Sequence, residues 1–367
     1  MKKRWLLLLP VLLLGLAWYL GPWFKAGFLL LDAANLSGWA ATVPKWTADQ
    51  CRLEDTTLPT RNGPIAARLY IPGKIQGAVV LVHGLHAGGI AEARLGPFGR
   101  KLAARGFLVL TPEMEDLKHF RITARTVDTI EDSIQWLSGR RDYSRQGRVG
   151  VIGISFSGGL SVVAAARPPI RDRVSFVLSI GGHGDLYRTA SYLCTGRWNG
   201  SAPYLKPHDY AVGVLLLNLC DRLVPPSQGA ALADGISAFL REDYDLGRSI
   251  ASRLAPPASD IMKWVDARDV DKVGPLMIRE LQNFAADPRL SPERSPSPAA
   301  PVFLLHGADD RVIPPHETEA LAKYLRGRTE VYSLITPLIS HVQLDQKPRA
   351  GDVWNLLSFW AKIVKRS

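Results

Sequence analysis

The segment Gly153-Ile154-Ser155-Phe156-Ser157 follows the apolar run Val149-Gly150-Val151-Ile152. No other stretch constrains the fold as tightly. A buried strand must end there in a small-x-Ser-x-small turn and pass straight into a helix, for which Gly158 to Ala166 is suited. Such a turn forces the serine into a strained backbone conformation and lifts its hydroxyl clear of the sheet. The residues two before and two after the serine must be small, because strand and helix nearly touch. Gly153 meets that need, and so does Ser157, although glycine is commoner at the second position.

Three further segments lie in a telling order. Ala78 to Val82 is a strand running into His83-Gly84-Leu85. Pro301 to Leu305 is a strand running into His306-Gly307-Ala308-Asp309-Asp310. Ile339-Ser340-His341 follows a third strand, Glu330 to Ile335. The order is His-Gly turn, Ser, Asp, His, and it separates serine-nucleophile folds from one another. In these segments the chain resembles the α/β-hydrolase superfamily. Its His-Gly and serine segments look most like dienelactone-hydrolase-like esterases. The resemblance covers roughly Arg52 to Gly184 and Pro301 to the C-terminus. It implies a mostly parallel central sheet flanked by helices.

The intervening sequence agrees. Arg52 to Leu58 and Pro64 to Ile71 read as strands joined through the hairpin signal Arg61-Asn62-Gly63. Strands and helices then alternate, as a parallel sheet with crossovers requires. Ala91 to Arg105 and Ala124 to Leu137 read as helices, Phe107 to Leu110 and Val174 to Ile180 as strands, and Gly351 to Lys365 as a closing helix. Residues 185–300 break the alternation with helical patterns such as Ala211 to Leu219 and Gln228 to Arg241. They fall where helical caps enter α/β-hydrolases, so the expectation is a cap over the site. The expected division is an N-terminal segment over 1–26, a linker over 27–50, a core over 51–184 and 301–367, and the cap over 185–300.

The N-terminal segment has its own logic. Lys2-Lys3-Arg4 precedes an uncharged run from Trp5 to Phe24, about the length of a bilayer-spanning helix. Trp5 stands at one end and Trp18, Tyr19 and Trp23 at the other, as in interfacial aromatic belts. The expectation is a membrane anchor with the remainder outside the cytoplasm. The alternative is a signal peptide cleaved near Gly15-Leu16-Ala17. The net charge of +11 comes with no aromatic-interleaved basic stripe or nucleic-acid motif. It reads as a basic solvated surface, or as attraction to an anionic membrane or substrate. Of the three cysteines, Cys51, Cys194 and Cys220, the last two share the insertion and could bridge it.

Serine is a weak nucleophile unless a base lies within hydrogen-bond reach and a third group orients that base. Ser155 is the candidate nucleophile and His341 the candidate base, with His183, His316 and His86 as rivals. The resemblance places the acid three residues after the glycine of His-Gly-x-x-Asp, which is Asp310; Asp309 and Asp185 are the alternatives. The developing oxyanion would meet the backbone N–H of Phe156 and that of Leu85, with His86 adjacent. His83 shapes the turn. The expected activity is hydrolysis of a small-molecule or lipid-like carboxylic ester, with no cofactor and no metal. A peptidase, thioesterase or acyltransferase on the same fold, or a non-catalytic binding protein, is the alternative.

Overall fold

The computed structural model describes residues 21–27, 51–144, 146–200, 202–339 and 349–366. Eight strands make one sheet: β1 (Cys51–Leu58), β2 (Ile65–Pro72), β3 (Gly77–Val82), β4 (Phe107–Pro112), β5 (Val149–Ile154), β6 (Val174–Ile180), β7 (Val302–Gly307) and β8 (Val331–Thr336). Their spatial order is β1-β2-β4-β3-β5-β6-β7-β8. β2 runs antiparallel to β1 and β4, and every pair from β4 to β8 is parallel.

The central strands read as near-continuous apolar runs because both faces of the sheet are covered. Val79 to Val82 and Leu108 to Leu110 are fully buried, each side chain contributing about 1.5–3 kcal/mol. Covering helices on the core include α1 (Leu95–Ala103), α2 (Ala124–Ser138) and α3 (Phe156–Ala165), joined later in the chain by His316–Leu325 and a closing helix, Ala350–Val364. Thr123 caps α2, accepting a hydrogen bond from the Arg125 N–H.

From β3 the chain goes to β4 on one side, then returns to β5 on the other. The order therefore reverses between β3 and β5, whose ends lie side by side at Val82 and Gly153. A crevice opens outside the carboxyl ends of strands at such a switch point. The His-Gly turn and the serine turn both leave the sheet there.

Between β6 and β7 the chain is helical, as expected. Its principal helices are α4 (Leu186–Thr195), α5 (Asp209–Leu223), α6 (Pro226–Leu240), α7 (Tyr244–Ala251), α8 (Ala258–Asp266) and α9 (Val270–Met277). Leu215, Leu216 and Leu217 are buried within this insertion. An ion-paired knot fastens it to the core. Arg188 bonds Glu293 through both terminal nitrogens (3.0 and 2.7 Å) and Glu317 through Nε (2.6 Å) and Nη2 (2.9 Å). Glu317 is completely buried and also accepts from the Gly184 and Asp185 N–H groups and Trp198 Nε1. Burial raises the pKa of Glu317, but Arg188 and these donors outweigh it and hold the carboxyl below its usual range.

Cys194 and Cys220 do not bridge; both are buried thiols. Burial pushes Cys194 up to about 12. The run Trp5–Phe24 lies outside the described residues except for its last four positions. Residues 21–27 are helical, and Trp23 stacks on Trp354 of the closing helix with ring centroids 5.2 Å apart. Among the described residues no helix is long and apolar enough to cross a membrane.

Candidate active site at the switch point

Ser155 stands between β5 and α3 with φ 59° and ψ −134°. That region is nearly reserved for glycine and costs a serine about 1–3 kcal/mol. Neighbouring contacts hold it. The Ser155 N–H donates to the Ile180 carbonyl at 2.7 Å. A β-carbon on Gly153 would fall 2.4 Å from the Ser157 carbonyl oxygen and 2.6 Å from Ser161 Oγ, so only glycine fits. Ser157, the departure from the commoner glycine, has a use for its hydroxyl. Its Oγ accepts from the Ile154 N–H at 2.8 Å and lies 3.1 Å from the Val82 carbonyl and 2.8 Å from that of Ile154. It thus ties the serine turn to the end of β3.

The His-Gly turn meets Ser155 directly. A β-carbon on Gly84 would stand 3.3 Å from Ser155 Cβ and 3.2 Å from the Ile154 carbonyl oxygen. His83 is buried and sets the turn's shape. Its Nδ1 lies 2.7 Å from the Gly84 carbonyl, and its Nε2 accepts from the Met114 N–H (3.0 Å) and stands 3.3 Å from Glu113 Oε1. Phe156 opens α3, so its N–H has no acceptor within the helix and sits at the positive end of the helix dipole. Ser155, Phe156 and the turn at Gly84-Leu85 therefore stand side by side at the ends of β3 and β5.

Asp310 lies beyond the end of β7, two strands from β5. It is 2% exposed. Its Oδ1 accepts from the N–H groups of Val312 (2.8 Å) and Ile313 (3.1 Å). Its Oδ2 would be 3.4 Å from a β-carbon on Gly181, the residue after Ile180 to which Ser155 is bonded. Asp309 is exposed. Asp185 caps α4, accepting from the Arg188 N–H at 2.8 Å. His341 lies outside the described residues. Ile339, two residues earlier, is seated so that its carbonyl occupies the space a Gly307 β-carbon would need.

The rival histidines have other work. His183 is buried, its Nε2 bonded to the Leu290 carbonyl at 2.8 Å, and burial pushes its pKa down. His316 stacks on Trp198. His86 Nδ1 accepts from the Gly88 N–H. One participant had no sequence signal. Tyr210, on α5, reaches from the insertion to the His-Gly turn and donates to the Leu85 carbonyl at 2.6 Å.

A cavity of about 470 Å³ opens beside this turn. His86, Ala87 and Tyr210 form one wall, apolar residues such as Val212, Ile236 and Val273 form the floor, and Asp209, Arg241, Glu242, Arg268 and Asp269 stand among the other lining residues. Its size and lining suit a small organic molecule. A small apolar pocket lies on the other side of Phe156, between Leu186 and Leu215. No group of metal-binding side chains occurs among the described residues.

The sheet order, the strained serine and the His-Gly turn against it are joined by a sequence match: the family described as X-Pro dipeptidyl-peptidase (S15 family) matches residues 65–207. The chain has the α/β-hydrolase fold. It is similar to an esterase of Pyrobaculum calidifontis at 20% identity, covering 94% of this chain and 88% of that one with a TM-score of 0.46. It is similar to an acylaminoacyl peptidase of Pyrococcus horikoshii at 13% identity, over 90% of this chain and 42% of that one, TM-score 0.44. It is similar to a dienelactone hydrolase of Anabaena variabilis at 15% identity, over 85% and 96%, TM-score 0.45. No curated protein sequence matches the chain.

Proposed function

We propose that the protein is a serine hydrolase that cleaves a carboxylic ester through an acyl-enzyme. The observation that carries this is the Ser155 backbone at φ 59° with the His-Gly turn packed against it. Strain of this kind persists only where the surroundings enforce it, and here it presents a hydroxyl to solvent at the switch-point crevice. Ser155 Oγ attacks the carbonyl carbon while His341 takes its proton. Asp310, already held by two backbone donors on Oδ1, orients His341. The tetrahedral oxyanion is met by the N–H groups of Phe156 and Leu85, each worth about 3 kcal/mol in the transition state. His341 then protonates the leaving alcohol, and water releases the acid by the reverse sequence. No step calls for a cofactor or a metal.

The S15 match favours a second reading, a peptidase that cleaves after proline. Amide and ester cleavage share the acyl-enzyme and differ in leaving group, so substrates separate them. The test is hydrolysis of p-nitrophenyl esters from acetyl to palmitoyl, beside X-Pro p-nitroanilides, with Ser155→Ala in parallel and a fluorophosphonate probe on both proteins. Ester turnover and labelling that vanish in the variant support the esterase. Anilide turnover alone supports the peptidase. No turnover and no labelling overturn both.

We place the catalytic domain outside the cytoplasm, held by the segment that starts at Trp5. The basic flank Lys2-Lys3-Arg4 ahead of the uncharged run from Trp5 to Phe24 supports this. Fractionation with a C-terminal reporter tests it; a cytoplasmic reporter signal would overturn it.

A further inference from the structure

The 470 Å³ cavity does not end in apolar walls. Beyond His208, Asp209 and Arg268 it meets a second space of about 230 Å³, lined also by Lys206, Pro207 and Arg311. Three cations and one carboxylate line that second space. Asp209 is committed, with Oδ2 3.4 Å from Arg268 Nε and Oδ1 3.1 Å from His208 Nδ1. Neither Lys206 nor Arg311 has an ion-pair partner among the described residues. Arg311 directly follows Asp310, and its backbone is clamped in place. Its carbonyl accepts from the His208 N–H (3.0 Å) and from the Tyr192 hydroxyl (3.3 Å). The exposed Arg311 side chain thus starts from a fixed backbone beside the acid loop, while the adjoining larger cavity borders the His-Gly turn through His86 and Ala87.

Uncompensated cations at the mouth of an apolar cleft attract an anion and pair with its oxygens, arginine doing so through two parallel bonds. From this juxtaposition, and resting on the serine-hydrolase reading, we infer that the substrate is an amphiphilic ester bearing a carboxylate or phosphate. Its anionic group is taken by Arg311 and Lys206, and its apolar part by the cavity between α5, α6 and α9.

Two matched pairs test this and separate the two anions. One pair is the p-nitrophenyl ester of suberic acid with its second carboxylate free, against the same compound methylated there. The other is dihexanoyl phosphatidate against dihexanoylglycerol. The anionic member of at least one pair should be preferred about tenfold or more in kcat/KM. Arg311→Glu, and independently Lys206→Glu, should each cut that anionic-to-neutral ratio about tenfold. The preferred pair names the anion. Equal use of both members in both pairs, or a ratio that neither variant moves, overturns the inference.

Calorimetry on the full-length Ser155→Ala protein supplies a readout free of chemistry. Monomethyl suberate should bind, dimethyl suberate should bind at least tenfold more weakly, and Arg311→Glu should abolish the difference. If that holds while fluorophosphonate fails to label wild type, the hydrolase reading falls and the anion site stands. If wild type labels and the two suberates bind alike, the anion site falls and the hydrolase reading stands.

Discussion

The hydroxyl of Tyr210 donates to the carbonyl oxygen of Leu85 across 2.6 Å, joining the helical insertion to the turn beside Ser155. Tyr210 packs edge-on against Phe120, and burial raises its pKa, so the phenol remains protonated and a donor throughout the physiological range. A peptide plane carries its carbonyl and the next residue's N–H rigidly together. Holding the Leu85 oxygen therefore orients the His86 N–H, the donor next to that of Leu85. Tyr210→Phe should lower ester kcat about three- to tenfold, with a stability loss of about 1 kcal/mol from the unpaired carbonyl. Steady-state kinetics beside urea unfolding check both. Unchanged kcat would leave Tyr210 as packing only.

Ser155→Gly should remove the nucleophile and relieve the backbone together. The folded state should gain about 1 kcal/mol, because glycine adopts φ 59° without the serine's strain but loses more chain entropy on folding. Denaturant midpoints compared with Ser155→Ala measure this, since alanine keeps the β-carbon and should show no such gain.

Gly153→Ala should be severely destabilising, by about 2 kcal/mol or more. Its β-carbon would meet the Ser157 carbonyl at 2.4 Å, backbone that cannot swing aside as a flexible side chain would. Thermal unfolding reports it directly. A wild-type melting temperature would mean that strand and helix can separate at this point.

Glu317→Gln should cost about 3 kcal/mol, because it leaves Arg188 partly buried with one carboxylate instead of two. Loss of helical signal at lower denaturant is the expected result. A midpoint within error of wild type would make the Glu293 pair sufficient by itself.

Acid should destabilise the fold in two stages. His183 and Glu317 both have folded-state pKa values below their ordinary ones, 6.5 and 4.5 respectively. In each case the unfolded chain takes up the proton first. The stabilisation is complete above the unfolded value and is lost as pH falls through the folded one. Melting temperature should therefore begin to drop below about pH 6.5 through His183. It should drop further below about 4.5 through Glu317. Replacing His183 with Gln should remove the first stage and keep the second.

The strands, the serine turn and the helical character of residues 185–300 were all legible from sequence, because each rests on local rules. Apolar runs of strand length, a small residue on either side of Ser155, and helical spacing in the insertion need no knowledge of distant parts. Ser157 was readable only as small. Its bond to the Val82 carbonyl depends on how β3 lies beside β5. The suggested Cys194–Cys220 bridge failed for a related reason: sharing an insertion says nothing about which faces of α4 and α5 turn toward each other.

Sequence alone thus determined the fold class and the strand-to-helix turn at Ser155, since those follow from short-range sterics and periodicity. Tertiary structure alone decided the rest. It set Tyr210 on the His-Gly turn, spent His183 on a backbone carbonyl, gathered Lys206, Arg268 and Arg311 around one space, and buried Glu317 under Arg188. Each joins residues far apart along the chain through contacts of a few ångströms. No local pattern carries such a contact, because its energy exists only after the sheet has brought the two segments together.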